Sequence, residues 1–264
     1  MNRYTLSIIG NGRAGKSFAV ALKEVGHEVF GPFQRGFADN PDFQSALNLS
    51  QAVIIAVNDS NISGVANQLQ HLMLCSFSSG QQIQNPKPVV IHLSGSKGLD
   101  ILGELENKAS IHPVAPLPNA ETGSKRLLSN ISFAVSGDER AKEIVESLGG
   151  NCLNIADEDR ALYHATCSVA SNFVVGLAGQ VEKMAHSCGL ELADFIKLAE
   201  FSLADVKNYG VNAALTGPVV RKDFDTVEMQ RNAIKNLDKS ELEYFDAGIK
   251  NLKELSQKGE LLCK

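Results

Sequence analysis

Up to Ile155 the apolar positions cluster in short runs separated by polar segments, whereas from Asp157 onward they recur at helical spacing. The runs at 4–9, 27–30, 52–57, 88–93, 110–112, 131–135 and 152–155 read as strands, rich in β-branched and aromatic residues. Some, such as Val53-Ile54-Ile55-Ala56-Val57, are apolar throughout, which suits central strands covered on both faces. Their alternation with helical and loop segments predicts an α/β domain, a mainly parallel sheet with helices on both faces. The β pattern then stops, so the chain divides into residues 1–156 and an all-α domain over 157–264. The first helix of the second domain runs from about 157 to 188, with acidic residues in its first turn and Gly189 as its C-cap. Residues 76–87, rich in Ser, Gln, Asn and Gly, read as a polar surface loop.

Between the first strand and the amphipathic helix that follows lies Gly10-Asn11-Gly12-Arg13-Ala14-Gly15. Gly10 allows a tight turn, Gly12 removes the Cβ that would block a pyrophosphate, and Gly15 lets the helix pack close to the strand. The phosphates would meet the unpaired N–H groups of the helix N-terminus, where Arg13 and Ala14 stand. This placement predicts a dinucleotide site. Where the second strand ends the chain reads Phe30-Gly31-Pro32-Phe33-Gln34-Arg35, with no acid to pair with ribose hydroxyls. Arg35, helped by Gln34 or Arg13, becomes the candidate for an extra 2′-phosphate, which selects NADP(H); the alternative is a solvated surface arginine. Val57 and Asn58, at the end of the third strand, are further cofactor-groove candidates, and Asp59 or Ser60 is the expected N-cap of the next helix.

Two other strand ends carry polar groups. His92-Leu93-Ser94-Gly95-Ser96 offers Ser94 and Gly95 to the cofactor, and in Ile111-His112-Pro113 the proline holds His112 extended. Such a histidine can bind a substrate carbonyl or exchange a proton, or be satisfied by backbone groups. On the long helix His164, Ser168, Ser171 and Asn172 fall at offsets of four, seven and eight and share one face, among Val169, Phe173, Val174, Val175 and Leu177. A polar stripe on so apolar a helix lines either a substrate cleft or a helix–helix interface. His164 and His112 are the candidate proton-transfer residues, and Ser171 and Asn172 the candidate substrate ligands. Lys183 and His186 read as ordinary polar-face residues. Further on, Thr216 is placed to cap a helix that Pro218 opens, with Arg221 one turn along.

At 264 residues the chain has room for two cores, and a formal net charge of −5 gives no basic footprint for nucleic acid. Five scattered cysteines make neither a C-x-x-C pair nor a zinc-type spacing, so no metal is expected and reduced thiols are. No targeting segment opens the chain and no run is taken as a membrane span, which together predict a cytoplasmic protein.

With the glycine loop, His92-x-Ser94-Gly95, His112-Pro113, the Tyr163-His164 to Ser171-Asn172 helix and Leu215-Thr216-Gly217-Pro218 in this order, the whole chain resembles the Rossmann-like NADP oxidoreductases of unassigned substrate whose helical C-terminal domain is a domain of unknown function. Those are similar to pyrroline-5-carboxylate reductase, ketopantoate reductase, prephenate dehydrogenase and the 6-phosphogluconate and β-hydroxyacid dehydrogenases. The resemblance implies a Rossmann domain followed by a helical domain of the 6-phosphogluconate dehydrogenase C-terminal type. It also implies NADP(H) held by Gly10, Gly12, Gly15 and Arg35, a small-molecule substrate in a cleft between the domains, and a homodimer built through the helical domains. The catalytic lysine of the β-hydroxyacid dehydrogenases is absent, since the nearby positions read His164-Ala165-Thr166-Cys167. The expectation is therefore an oxidoreductase acting on an imine, oxo acid or hydroxy acid. A non-catalytic NADP-binding protein and a prephenate- or arogenate-type dehydrogenase are the alternatives.

Overall fold

The computed structural model describes residues 2–78 and 87–262. All seven apolar runs form strands: β1 (Thr5–Ile9), β2 (Glu28–Phe33), β3 (Ala52–Ile55), β4 (Val89–His92), β5 (Lys108–Pro113), β6 (Ser132–Gly137) and β7 (Asn151–Leu153). They make one sheet in the order β2-β1-β3-β4-β5-β6-β7, in which only β5 and β6 pair antiparallel. The carboxyl ends of β1 to β5 therefore share one edge, where an open α/β sheet collects its ligands.

Side-chain alternation sends the apolar strands to two cores. Leu6, Ile8, Ile54, Ile91 and Ile111 pack on one face with Phe18 and Leu22 of α1 (Arg13–Glu24) and Ile144 and Val145 of α5 (Glu139–Ser147). Ile9, Val53, Ile55 and Val90 pack on the other with Phe43 and Leu47 of α2 (Pro41–Leu49) and Ile62 and Leu69 of α3 (Asp59–Ser78). Between β5 and β6, α4 (Ala120–Leu127) is capped by Asn119, whose side chain accepts from the Thr122 N–H. Of the polar loop expected over 76–87, residues 76–78 belong instead to α3, and residues 79–86 lie outside the described residues.

The compact unit that carries the sheet extends to Val169, and a second unit spans 170–264. The long helix is continuous from Asp157 to Ser187 but not uniform: a 3-10 turn (Asp157–Asp159), α6 (Arg160–Ser168), a π-helical segment (Val169–Phe173) and α7 (Val174–Ser187). By length and composition alone it is long and apolar enough to cross a membrane, with a mean hydropathy of 1.2, which corrects the expectation that no segment is. Its polar residues are too few to offset Leu162, Val169, Val174, Val175 and Leu177 in that average. Gly189, at φ +71°, ends it as predicted, with the Leu190 N–H bonded back to the Ala185 carbonyl.

The second unit continues with α8 (Leu192–Tyr209), α9 (Val211–Ala214), α10 (Phe224–Leu237) and α11 (Lys239–Leu262). Pro218 opens no helix, which corrects that expectation. Residues 218–222 form turns, with Lys222 at φ +59°, and the next helix is capped by Asp223, whose carboxylate accepts from the Thr226 N–H and hydroxyl.

Candidate functional site

The glycine loop has the geometry its sequence predicts. Gly10 sits at φ +115°, and a Cβ there would lie 2.2 Å from the Ala56 carbonyl oxygen. A Cβ on Gly15 would come within 1.9 Å of the Gly10 carbonyl oxygen, so the start of α1 meets the strand end only because both residues are glycine. Around the Cβ direction of Gly12, the residue that caps α1, nothing lies within 4 Å. Open space over a helix N-terminus, with its unpaired amides, fits a pyrophosphate.

Beside this turn lies a cavity of about 740 Å³, lined by Gly10, Gln34, Arg35 and Val57 among the predicted residues. Asn58 is exposed and is not part of its wall, whereas Asn11, Ser60, Asn61 and Gln68 are. Arg35 is exposed in the turn after β2, free of any sheet constraint. The wall also carries Asp39, from the one-turn helix Phe37–Asp39, a carboxylate that a reading confined to the end of β2 overlooks.

A second constellation gathers at the ends of β4 and β5. Asp59, expected to act as a cap, instead bridges: its Oδ2 accepts from the Ser94 hydroxyl at 2.8 Å and the Ser96 hydroxyl at 2.9 Å. Ser94 Oγ in turn accepts from the Ser96 and Lys97 N–H groups, so its side chain is committed to shaping the loop that presents Gly95. His92 is fully buried. Its Nδ1 accepts from the Ser94 N–H, and burial, reinforced by the nearby Arg160 guanidinium, pushes its pKa down to about 4.

His112, half-buried at the end of β5, has its Nδ1 2.7 Å from the Tyr163 hydroxyl. Its ring centroid is 5.8 Å from that of His164. Burial and then His164 hold its pKa down to about 4, against the opposing pull of Asp59. A Cβ on Gly95 would lie 2.8 Å from His112 Nε2 and Cε1 and from His164 Cδ2, so the glycine keeps open the space over which the two imidazoles meet. The two candidate proton-transfer residues are thus neighbours.

Arg160 explains how α6 reaches this edge of the sheet. It is 2 % exposed; its Nε donates to Asp157 at 2.7 Å and its Nη2 to the hydroxyls of Ser110 in β5 and Ser136 in β6, at 2.9 and 2.6 Å. This pins the start of α6, and one turn later Tyr163 and His164 face His112. Arg160 Nη1 and His92 Nε2 have no hydrogen-bond partner among the described residues. Sequence reasoning missed Arg160, Tyr163 and the bridging role of Asp59. The one signal was a serine at a buried or half-buried position in each of the two strands, Ser110 in β5 and Ser136 in β6.

Ser171 and Asn172 fall in the π-helical segment and in the second unit. The π turn breaks the 3.6-residue period on which their sharing a face with His164 was inferred. Asn172 is exposed and Ser171 half-buried. The residues described form no cluster suited to a metal ion, and Cys152, Cys167 and Cys188 form no disulfide.

The sheet order, the glycine turn and the helical second unit define a Rossmann-type fold followed by a helical region. Solved structures with this architecture include protein TM1727 from Thermotoga maritima, with 23 % identity, 97 % of this chain and 99 % of that one covered, and a TM-score of 0.67. They also include pyrroline carboxylate reductase from Plasmodium falciparum with NADP bound (14 %, 97 % and 99 %, 0.60). A third is an imine reductase from Streptomyces aurantiacus (16 %, 98 % and 99 %, 0.62). At such identities the likeness establishes the fold. Residues 131–249 match the family model described as a domain of unknown function, DUF2520. A search of curated proteins finds no match.

Proposed function

We propose that the chain is an NADP(H)-dependent oxidoreductase acting on a small polar metabolite, an imine, oxo acid or hydroxy acid. The observation that carries this reading is the glycine turn open at Gly12 beside a cavity walled by Gln34 and Arg35. Gly10, Gly12 and the amides at the start of α1, with Arg13 and Ala14, would hold the pyrophosphate, and Arg35 the 2′-phosphate. When bound, the nicotinamide supplies or accepts the hydride. The chain's own work is orientation and proton handling at the ends of β4 and β5. There the Ser94-Gly95-Ser96 loop is tied down by Asp59, and His112 and His164 converge on the space that Gly95 leaves open. The names of the imine reductase and the NADP-bound pyrroline carboxylate reductase support the same class of reaction.

A second element of the proposal is a homodimer built through the helical unit, favoured by its exposed Phe173, Val175, Leu198, Phe201, Leu203 and Tyr209. Cys152, Cys167 and Cys188, the cysteines among the described side chains, stand as free thiols, which supports a cytoplasmic setting.

The test is equilibrium binding of NADPH and NADH, followed by a turnover screen over imines, oxo acids, hydroxy acids and cyclohexadienyl acids. NADPH binds more tightly, and Arg35→Ala removes about tenfold or more of that preference, the worth of one charge-assisted phosphate contact. Equal affinities in the wild-type chain, which Asp39 on the same wall would favour, overturn the NADP(H) assignment. Tight binding without turnover on any class identifies a non-catalytic NADP-binding protein.

A further inference from the structure

The contact between His112 Nδ1 and the Tyr163 hydroxyl decides what His112 offers to a ligand. At 2.7 Å the two are hydrogen-bonded and either atom could donate, so the direction turns on which neighbour best accepts the phenol proton. The Tyr163 hydroxyl also lies within hydrogen-bonding reach of Cys167, but a thiol sulfur is a weak acceptor and an imidazole nitrogen a strong one. The phenol proton therefore goes to Nδ1. A neutral imidazole that accepts at Nδ1 carries its own proton at Nε2, the atom facing the space kept clear by Gly95.

We infer that Tyr163 is a positioning residue that locks His112 as the Nε2–H tautomer, making it a fixed neutral hydrogen-bond donor to a substrate oxygen or nitrogen rather than a proton carrier. The inference rests on the functional reading that this edge of the sheet handles substrate. No bond to hydrogen is made or broken at His112, and proton exchange falls to its neighbour His164. The surroundings agree on both partners. Burial, His164 and Arg160 all disfavour the imidazolium of His112, with Asp59 alone opposing, and burial keeps the Tyr163 phenol protonated well above its usual range. The geometry is held from outside the pair, because Arg160 anchors α6 to β5 and β6 while the rings of Tyr163 and His112 meet edge-on at 5.6 Å between centroids.

The experiment is nitrogen NMR of the full chain labelled in its imidazoles, with His112 assigned by its loss in His112→Asn. The expected wild-type spectrum near neutral pH has His112 protonated at Nε2 and bare at Nδ1. In Tyr163→Phe, which keeps the ring contact and loses the donor, the Nδ1 signal shifts toward its protonated position as the other tautomer fills. A wild-type Nδ1–H tautomer, or His112 signals unmoved in Tyr163→Phe, overturns the inference. If that variant fails to fold, the wild-type tautomer decides alone. None of these signals needs cofactor or turnover, so a failure of NADP(H) binding counts against the functional reading and leaves the tautomer result standing.

Discussion

The sheet unit and the helical unit use the same apolar residues to opposite ends. In the first, Leu6, Ile8, Phe18, Leu22, Phe43, Ile54 and Ile55 are sealed in two cores. In the second, among the described residues, Ala185, Val219, Val227 and Ile234 are the buried hydrophobics, while Val175, Leu198, Phe201, Leu203, Tyr209 and Met229 stand exposed. The helical unit is tied internally by polar contacts instead. Lys183 pairs with Asp238 and Glu241, Gln180 donates to the Glu241 carbonyl, and Arg231 meets Asp246 through both oxygens. Exposed ion pairs of this kind contribute little each, so this unit leaves much of its apolar surface uncovered, surface that the proposed dimer would cover, whereas the sheet unit seals its own.

The largest way to test that contrast is a pair of phenylalanines. Phe18→Ala, at a fully buried position, lowers unfolding stability by about 3–5 kcal/mol in urea. Phe201→Glu, which stands one turn from Lys197 on an exposed face, leaves the subunit's own stability within about 1 kcal/mol but shifts sedimentation from dimer to monomer. A wild-type chain that sediments as a monomer at every concentration removes the dimer from the proposal.

Acid separates the two units next. His27, His92 and His112 in the sheet unit have folded pKa values below their unfolded 6.5. The folded state then binds fewer protons than the unfolded state, so stability is complete above pH 6.5 and falls as pH drops from there to about 4. His92 alone accounts for a loss of about 3 kcal/mol over that window. In the helical unit the groups with shifted pKa values are mainly the carboxylates of Asp223, Asp238 and Asp246, held below their usual range by hydrogen bonds to Thr226, Lys183 and Arg231. Their contribution persists until pH falls below the ordinary carboxylate range. Hydrogen exchange at pH 7 and pH 5 should find the sheet unit weakened and the helical unit's polar ties unchanged. Equal loosening of both contradicts the contrast.

The smallest effect is at Gly248, exposed on α11 with nothing within 4 Å of where a Cβ would stand. Gly248→Ala raises the thermal midpoint, by no more than about 1 kcal/mol of helix propensity. At Gly15 any side chain would strike the Gly10 carbonyl instead.

The strands and the glycine turn were legible because each is a local pattern. A run of apolar residues at 52–57 has few alternatives to a buried strand, and the glycines at 10, 12 and 15 answer to contacts within one strand-turn-helix unit. The site at β4 and β5 was legible only in part. His112 and His164 were picked out by position and face, but Tyr163 reads as one more half-apolar helix residue until the fold brings it across 51 positions to His112. Asp59 passed for a cap because carboxylates at helix starts usually are one, and its serine partners lie 35 and 37 residues away. The stripe of Ser171 and Asn172 was read on a period of 3.6, whereas the segment that carries them winds as a π-helix, which side-chain periodicity alone does not signal.

The sequence by itself determined the Rossmann-type unit, its glycine turn and the place where the strands give way to helices, since those follow from periodicity and from where a Cβ is missing. Only the tertiary structure decided that a buried Arg160 anchors α6 to the sheet, that two histidines meet over Gly95, and that a tyrosine stands behind one of them. Hydrogen bonds between distant residues leave no period in a sequence, so they become readable only when the backbone has closed the distance.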